Sequence, residues 1–148
     1  MLTTTLIKLF DRDLEKLKQE IEAYKAEEDL WIVTNEISNS AGNLCLHLIG
    51  NLNHFIGAIL GNTGYIRQRD LEFSQTNIPK SKMIEDIDNA LVMVKDVLRK
   101  LTVHNLQEQY ELKVFGEAMS TEFFLTHLST HLAYHLGQIN YHRRLLSV

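Results

Sequence analysis

Residues 6–24, LIKLFDRDLEKLKQEIEAY, set Leu6, Phe10, Leu14, Leu17, Ile21 and Tyr24 at steps of four and three. That spacing puts all six on one face of an α-helix, with the charged residues opposite, and predicts a helix over about residues 3–27. The same pattern returns at Ile84, Ile87, Leu91, Val94, Leu98 and Leu101. A helix with one continuous apolar face must bury it against others, so these two segments read as core-facing walls of a helical bundle.

Two further helices are predicted between and after them. One runs from about Ser40 to Leu60, with Ser38, Asn39 and Ser40 as capping candidates and Gly61 with Gly64 able to end it. The other runs from about Ser120 to Leu146, with Ser120 or Thr121 as cap and Glu122 in the first turn, where a carboxylate complements the helix dipole. Between the second and third helices lies a long connection, Asn62 to Pro79. It can cross the bundle from end to end, so those two helices can run parallel, and loops of this length are often functional. From Thr102 to Met119 the pattern breaks, and the alternation over Gln107 to Val114 reads as extended.

The 148 residues suit one domain over 1–148, because a second core would leave both halves marginal. With 45% hydrophobic and 23% charged residues, the composition is that of a globular chain. No apolar run reads as long enough to span a bilayer, so no membrane is expected as a partner. The formal net charge of −4 does not supply the attraction that dominates nucleic-acid binding, so no nucleic acid is expected either. A single cysteine, Cys45, cannot close an internal disulfide, and no basic, apolar leader opens the chain. These points predict a cytoplasmic protein, with Cys45 as packing rather than nucleophile.

One proline permits long helices, and seven histidines carry the chemistry. On the last helix, Phe124, Leu128, His131, His135, Gln138 and His142 follow the line a bundle helix turns towards its core. A buried imidazole without a partner costs about 1–3 kcal/mol, and a metal ion satisfies several at once. His131 and His135, at i and i+4, have Cβ atoms about 5–6 Å apart and can reach one ion. His47, between apolar neighbours on the second helix, offers a third ligand and leaves positions open for water or substrate. His54, His127 and His142 fall around this set or at the surface, and His104 is expected to be exposed. The sequence lacks H-E-x-x-H, E-x-x-H, C-x-x-C-H and a glycine-rich phosphate loop, and no inward carboxylate presents itself as a general base.

Two stretches carry a family resemblance: Leu44-Cys45-Leu46-His47-Leu48 followed by Gly50-Asn51-Leu52, and His131-Leu132-Ala133-Tyr134-His135-Leu136-Gly137-Gln138-Ile139. Here the chain resembles the DinB-like superfamily, which includes YfiT-type metal-dependent hydrolases and thiol-dependent transferases. The resemblance implies an all-α four-helix bundle in up-down-down-up order, with the long connection between helices two and three. It implies a metal triad matching His47, His131 and His135, one divalent ion (nickel or zinc), a bacterial cytoplasmic setting and a homodimer. Leu136 stands where many members carry a basic residue. Asn51 and Gln138, each one turn from a histidine, are expected to orient imidazoles or bound water. Arg69 and Asp70 in the long connection are candidates for gripping an anionic substrate, though an ion pair within the loop is the simpler expectation.

Two functions from different classes follow. One is a metal-dependent enzyme that activates water, as a hydrolase, or a low-molecular-weight thiol, as an S-transferase, on a small-molecule substrate. The alternative is a non-enzymatic metal- or small-ligand-binding bundle with a structural or stress-response role. A metal-free dimerising scaffold with a hydrogen-bonded histidine core is a third.

Overall fold

The computed structural model describes residues 1–34 and 36–147. It is all-α, with no strand among the described residues. The long helices are α1, Leu2–Ala23, α2, Ala41–Gly61, α4, Lys80–Lys100, and α6, Thr121–Leu146. Two short ones, α3, Arg69–Ser74, and α5, Val103–Gln107, lie in the connections.

The periodic faces of α1 and α4 meet as their spacing predicts. Leu6, Phe10, Leu14, Leu17 and Ile21 are buried along α1, and Ile87, Leu91, Val94 and Leu98 along α4. Ile84 and Leu101 are only half-buried, and Met83, Ala90 and Val97 complete the α4 face. Each fully buried large apolar side chain contributes about 1.5–3 kcal/mol, which makes this seam a major source of stability.

Cross-helix pairs fix the directions. Lys18 pairs with Asp88 at 3.1 Å and Lys95 with Asp11 at 2.6 Å, so α1 and α4 are antiparallel. Gly57 faces Met93 and Gly61 faces Val97, so α2 and α4 are parallel. His47 lies beside His131 and Phe55 beside Phe124, so α2 and α6 are antiparallel. The order is therefore up, down, down, up.

Local chemistry sets the helix ends. Ser40 accepts from the Asn43 amide at 3.1 Å, and Ser120 from the Phe123 amide at 3.1 Å, each relieving one orphaned donor. At the far end of α2 it is Asn62, at φ 49°, that takes the left-handed conformation; of the two expected glycines Gly61 stays helical, and Gly64, at φ 79°, turns the chain two residues further on. Within α2, Asn53–Ala58 is a π-helical turn, and the Tyr110 hydroxyl donates to the Phe55 carbonyl there at 2.6 Å. Such widened turns inside α-helices are often found at functional sites.

Two expectations are corrected. Gln107 to Val114 is not a strand: Gln107 closes α5, whose start is tied down by a reciprocal Thr102–Asn105 capping box. Only an isolated antiparallel bridge, Gln109 with Ser120, follows. Secondly, Ala41–Gly61 is long and apolar enough to cross a membrane by length and composition, and 56% of its most apolar window is buried inside the protein. A core helix of a folded protein passes the same test as a span.

Candidate metal centre

Three helical positions converge between α2 and α6. His47 is buried, while His131 and His135, one turn apart on α6, are half-buried. The Nε2 atoms of His47 and His131 stand 3.3 Å apart. The ring centroids lie 5.1 Å (His47–His131), 5.4 Å (His47–His135) and 4.5 Å (His131–His135) apart. One nitrogen from each ring falls within 4.8 Å of the others, close enough for all three to share one ion.

The protonation states suit that use. Burial pushes the His131 imidazole down to about 3, helped by the nearby rings of His135 and His47. Burial also lowers His135, although its bond to Gln138 opposes the shift. Neutral rings with free lone pairs are what a metal needs. Gln138 Oε1 lies 2.7 Å from His135 Nδ1, so Nδ1–H donates and Nε2 is left free. His131 Nδ1 and Asn51 Oδ1 are buried without a protein hydrogen-bond partner. Orphaned polar atoms at this depth cost free energy, and a donor set of three imidazoles is a chemically fitting home for a divalent ion.

The buried face of the site holds a group that the sequence reading missed. Glu72 of α3 is only 6% exposed. Its carboxylate accepts from His47 Nδ1 at 3.0 Å and from Arg67 Nε and Nη2 at 2.9 Å each. Burial alone would raise the Glu72 pKa, but the bonds from His47 and Arg67 outweigh it and hold the carboxyl below its ordinary range. The sequence reading, which found no inward carboxylate to act as a general base, did not reach this buried one, engaged here by Arg67 and His47. Its residue comes from the long connection, which a helix-by-helix reading treats as outside the core. Gly50 was the available signal: a Cβ there would fall on the Glu72 carboxylate, so a bare helix surface is required one turn after His47. Asn43 fastens the same segment, its Nδ2 donating to the carbonyls of Glu72 at 2.9 Å and Gln75 at 2.8 Å. Phe73 completes the cover, its ring 4.9 Å from that of His47.

Arg69 and Asp70 are exposed on the outer side of α3. Arg69 lies 5.4 Å over the Phe73 ring, and the salt bridge formed within the connection among the described residues is Arg67–Glu72, without Arg69 or Asp70. Of the other histidines, His127 packs against Phe115 at 4.7 Å and is 6.0 Å from His131 between ring centroids. His54 sits in the π-helical turn against Phe55. His142 is not at the surface, and although it shares a groove with His135 its ring nitrogens bond to none of the triad histidines. It is buried, with Nδ1 2.5 Å from the Tyr24 hydroxyl and Nε2 2.9 Å from the Ile32 carbonyl. The carbonyl can only accept, so Nε2 carries the hydrogen and Tyr24 donates to Nδ1. His104 is exposed and pairs with Glu108.

On its open side the site meets a groove of about 450 Å³ lined by Leu44, Tyr134, His135, Gln138, Tyr141 and Leu145, among others. Cys45 is buried, and burial pushes its thiol up to about 12, which removes it as a nucleophile.

Residues 3–147 match the model of a family described as protein of unknown function (DUF1572). The chain belongs to that family. No curated protein matches this DUF1572 chain.

Proposed function

We propose that this DUF1572 protein is a metal-dependent enzyme of the DinB-like superfamily, a hydrolase or a thiol-dependent transferase. His47, His131 and His135 hold one zinc or nickel ion. The observation that carries the reading is the convergence of three imidazole nitrogens from two helices beside an open groove. A closed structural site takes four protein ligands, whereas catalytic sites keep a position for water or substrate. Bound there, a divalent ion supplies Lewis acidity that lowers the pKa of water or a thiol towards neutrality. Gln138 holds the His135 ring, Glu72 holds His47, and Phe73 shields the buried side from solvent. The groove beside His135 admits the small-molecule substrate, a low-molecular-weight thiol in the transferase case. A cytoplasmic homodimer belongs to the same reading.

One observation favours the second reading, a metal- or small-ligand-binding bundle without turnover. Among the described residues the carboxylate at the triad is Glu72, and it is engaged by Arg67 and His47, so it is not free to take a proton from substrate.

Elemental analysis of untagged protein, wild type beside His131→Ala, after dialysis against metal-free buffer tests the site. About one equivalent of zinc or nickel, lost in the variant, is expected. Absence of metal from both, even after adding zinc or nickel, refutes the metalloprotein reading. Metal-dependent turnover of an ester, amide or thiol-acceptor substrate separates the enzyme from the binding bundle, which would lose thermal stability in His131→Ala with no activity to lose.

A further inference from the structure

Nothing in the histidine triad itself dictates which nitrogen of His47 carries the hydrogen. In a neutral imidazole one nitrogen carries hydrogen and the other a lone pair, and a ligand must present the lone pair to the ion. If His47 carried its hydrogen on Nε2, that hydrogen would point at His131 Nε2, 3.3 Å away, and obstruct the shared position. On the other side of the ring stands Glu72 Oε1, 3.0 Å from Nδ1. An ionised carboxylate only accepts, so it demands the hydrogen on Nδ1.

Arg67 decides that Glu72 is ionised. Its guanidinium donates through Nε and Nη2 to both carboxylate oxygens at 2.9 Å, the two-pronged geometry that favours a carboxylate. Its Nη2 also lies 3.4 Å from His47 Nδ1, a longer approach than that of Glu72. The pair is held in place independently of the histidines. Asn43 clamps the α3 backbone, the bare Cα of Gly50 makes room for the carboxylate, and Arg67 lies over the Phe55 ring at 5.6 Å.

We propose that Glu72, braced by Arg67, is a positioning residue: it locks His47 in the Nδ1–H tautomer and turns its Nε2 lone pair towards His131 and His135. The α3 segment of the long connection is therefore part of the centre and not merely a crossover. The consequence for metal binding rests on the metal-centre reading, whereas the tautomer does not.

The experiment uses the full chain in two states. In metal-free protein at neutral pH, ring-nitrogen NMR with two-bond ¹H–¹⁵N correlation reports which nitrogen of each histidine is protonated, with His47→Gln identifying its signals. Zinc affinity is then measured by competition with a chromophoric chelator for wild type, Glu72→Gln and Glu72→Ala. The expected result is an Nδ1–H tautomer at His47 in wild type, kept in Glu72→Gln, whose amide oxygen still accepts, and lost in Glu72→Ala. Zinc affinity should fall about 10–100-fold in Glu72→Ala, the usual effect of losing an outer-shell partner, with most of it restored in Glu72→Gln. A His47 that carries hydrogen on Nε2, or on both nitrogens, in wild type overturns the proposal even if no variant folds. So does zinc affinity unchanged in a folded Glu72→Ala. Failure of the wild type to take up zinc refutes the proposed function instead, and the tautomer measurement still decides the role of Glu72.

Discussion

Replacing Gly50 by alanine should destabilise the protein, although helix propensity says the reverse. Gly50 lies in the interior of α2, where alanine is ordinarily favoured by about 1 kcal/mol. Here the added Cβ would occupy the place of the Glu72 carboxyl group. The obstacle is one end of a bidentate pair with Arg67, whose side chains are 7% and 11% exposed, and it also holds His47. Moving it aside breaks a buried ion pair, which costs about 3–5 kcal/mol when one partner is left unpaired. Subtracting the propensity gain leaves a net loss of about 2–4 kcal/mol. For a chain of this size that is a fall in melting temperature on the order of 5–15 °C. Thermal and urea unfolding of Gly50→Ala, Glu72→Ala and the double variant form a cycle. With the carboxylate removed, the alanine no longer collides, so its cost should shrink or change sign in the Glu72→Ala background. A Gly50→Ala protein as stable as wild type, or a penalty that persists without Glu72, would refute the seating of Glu72 on α2. Gly137→Ala is the control. That glycine is also inside a helix, with nothing near its Cβ position, so alanine should stabilise by about 0.5–1 kcal/mol.

Tyr24→Phe removes the donor to buried His142 Nδ1 and should cost about 1–3 kcal/mol in urea unfolding; an unchanged midpoint would mean that the bond does not form. His131 is held at about 3 in the fold against 6.5 for a free imidazole. As pH falls through that window the unfolded chain takes up a proton that the folded chain refuses, so metal-free protein should lose stability from about pH 6.5 downwards. Urea midpoints measured between pH 7 and pH 4 should fall more steeply for wild type than for His131→Ala, and equal slopes would contradict the assignment. Buried Cys45 should resist an aromatic disulfide reagent at pH 8 and release one equivalent of thiol only after denaturation; rapid native labelling would show that its cover opens.

How much of this was legible in advance depends on what each residue's role rests on. The seam of α1 and α4 was readable because nothing but burial selects those side chains, and burial leaves a 3.6-residue imprint. The histidine triad was readable for the same geometric reason: i, i+4 spacing on α6 and one histidine on a helix that had to face it. The line drawn through α6 was rotated, however. Leu125, Leu132 and Ile139 fill the core beside Phe124 and Leu128, while His135 is half-buried and Gln138 exposed. The triad therefore sits at the margin of the core, not on its axis, as a site open to small molecules requires. Glu72 and Arg67 left no periodic trace. Their burial depends on a connection folding back over α2, a tertiary event with no signature beyond a glycine in the middle of a helix.

The same docking explains a conflict within α2. Its composition is apolar enough for a membrane span, yet Asn43, His47 and Asn51 recur at steps of four and so share one face. Asn43 and His47 both bond to the segment that covers them, Asn43 to backbone carbonyls and His47 to the Glu72 carboxylate. The polar stripe is thus where the connection attaches, and the apolar remainder is core. The Arg67–Glu72 pair and the Phe73 ring over His47 fasten that cover where the three imidazoles meet. The centre is consequently graded from one side to the other. His47 is dry and held by a charge, His131 lies between with a free Nδ1, and His135 is wet and held by an amide. Chemistry at such a centre would approach from the His135 side, while the geometry of its ligands is set from the Glu72 side.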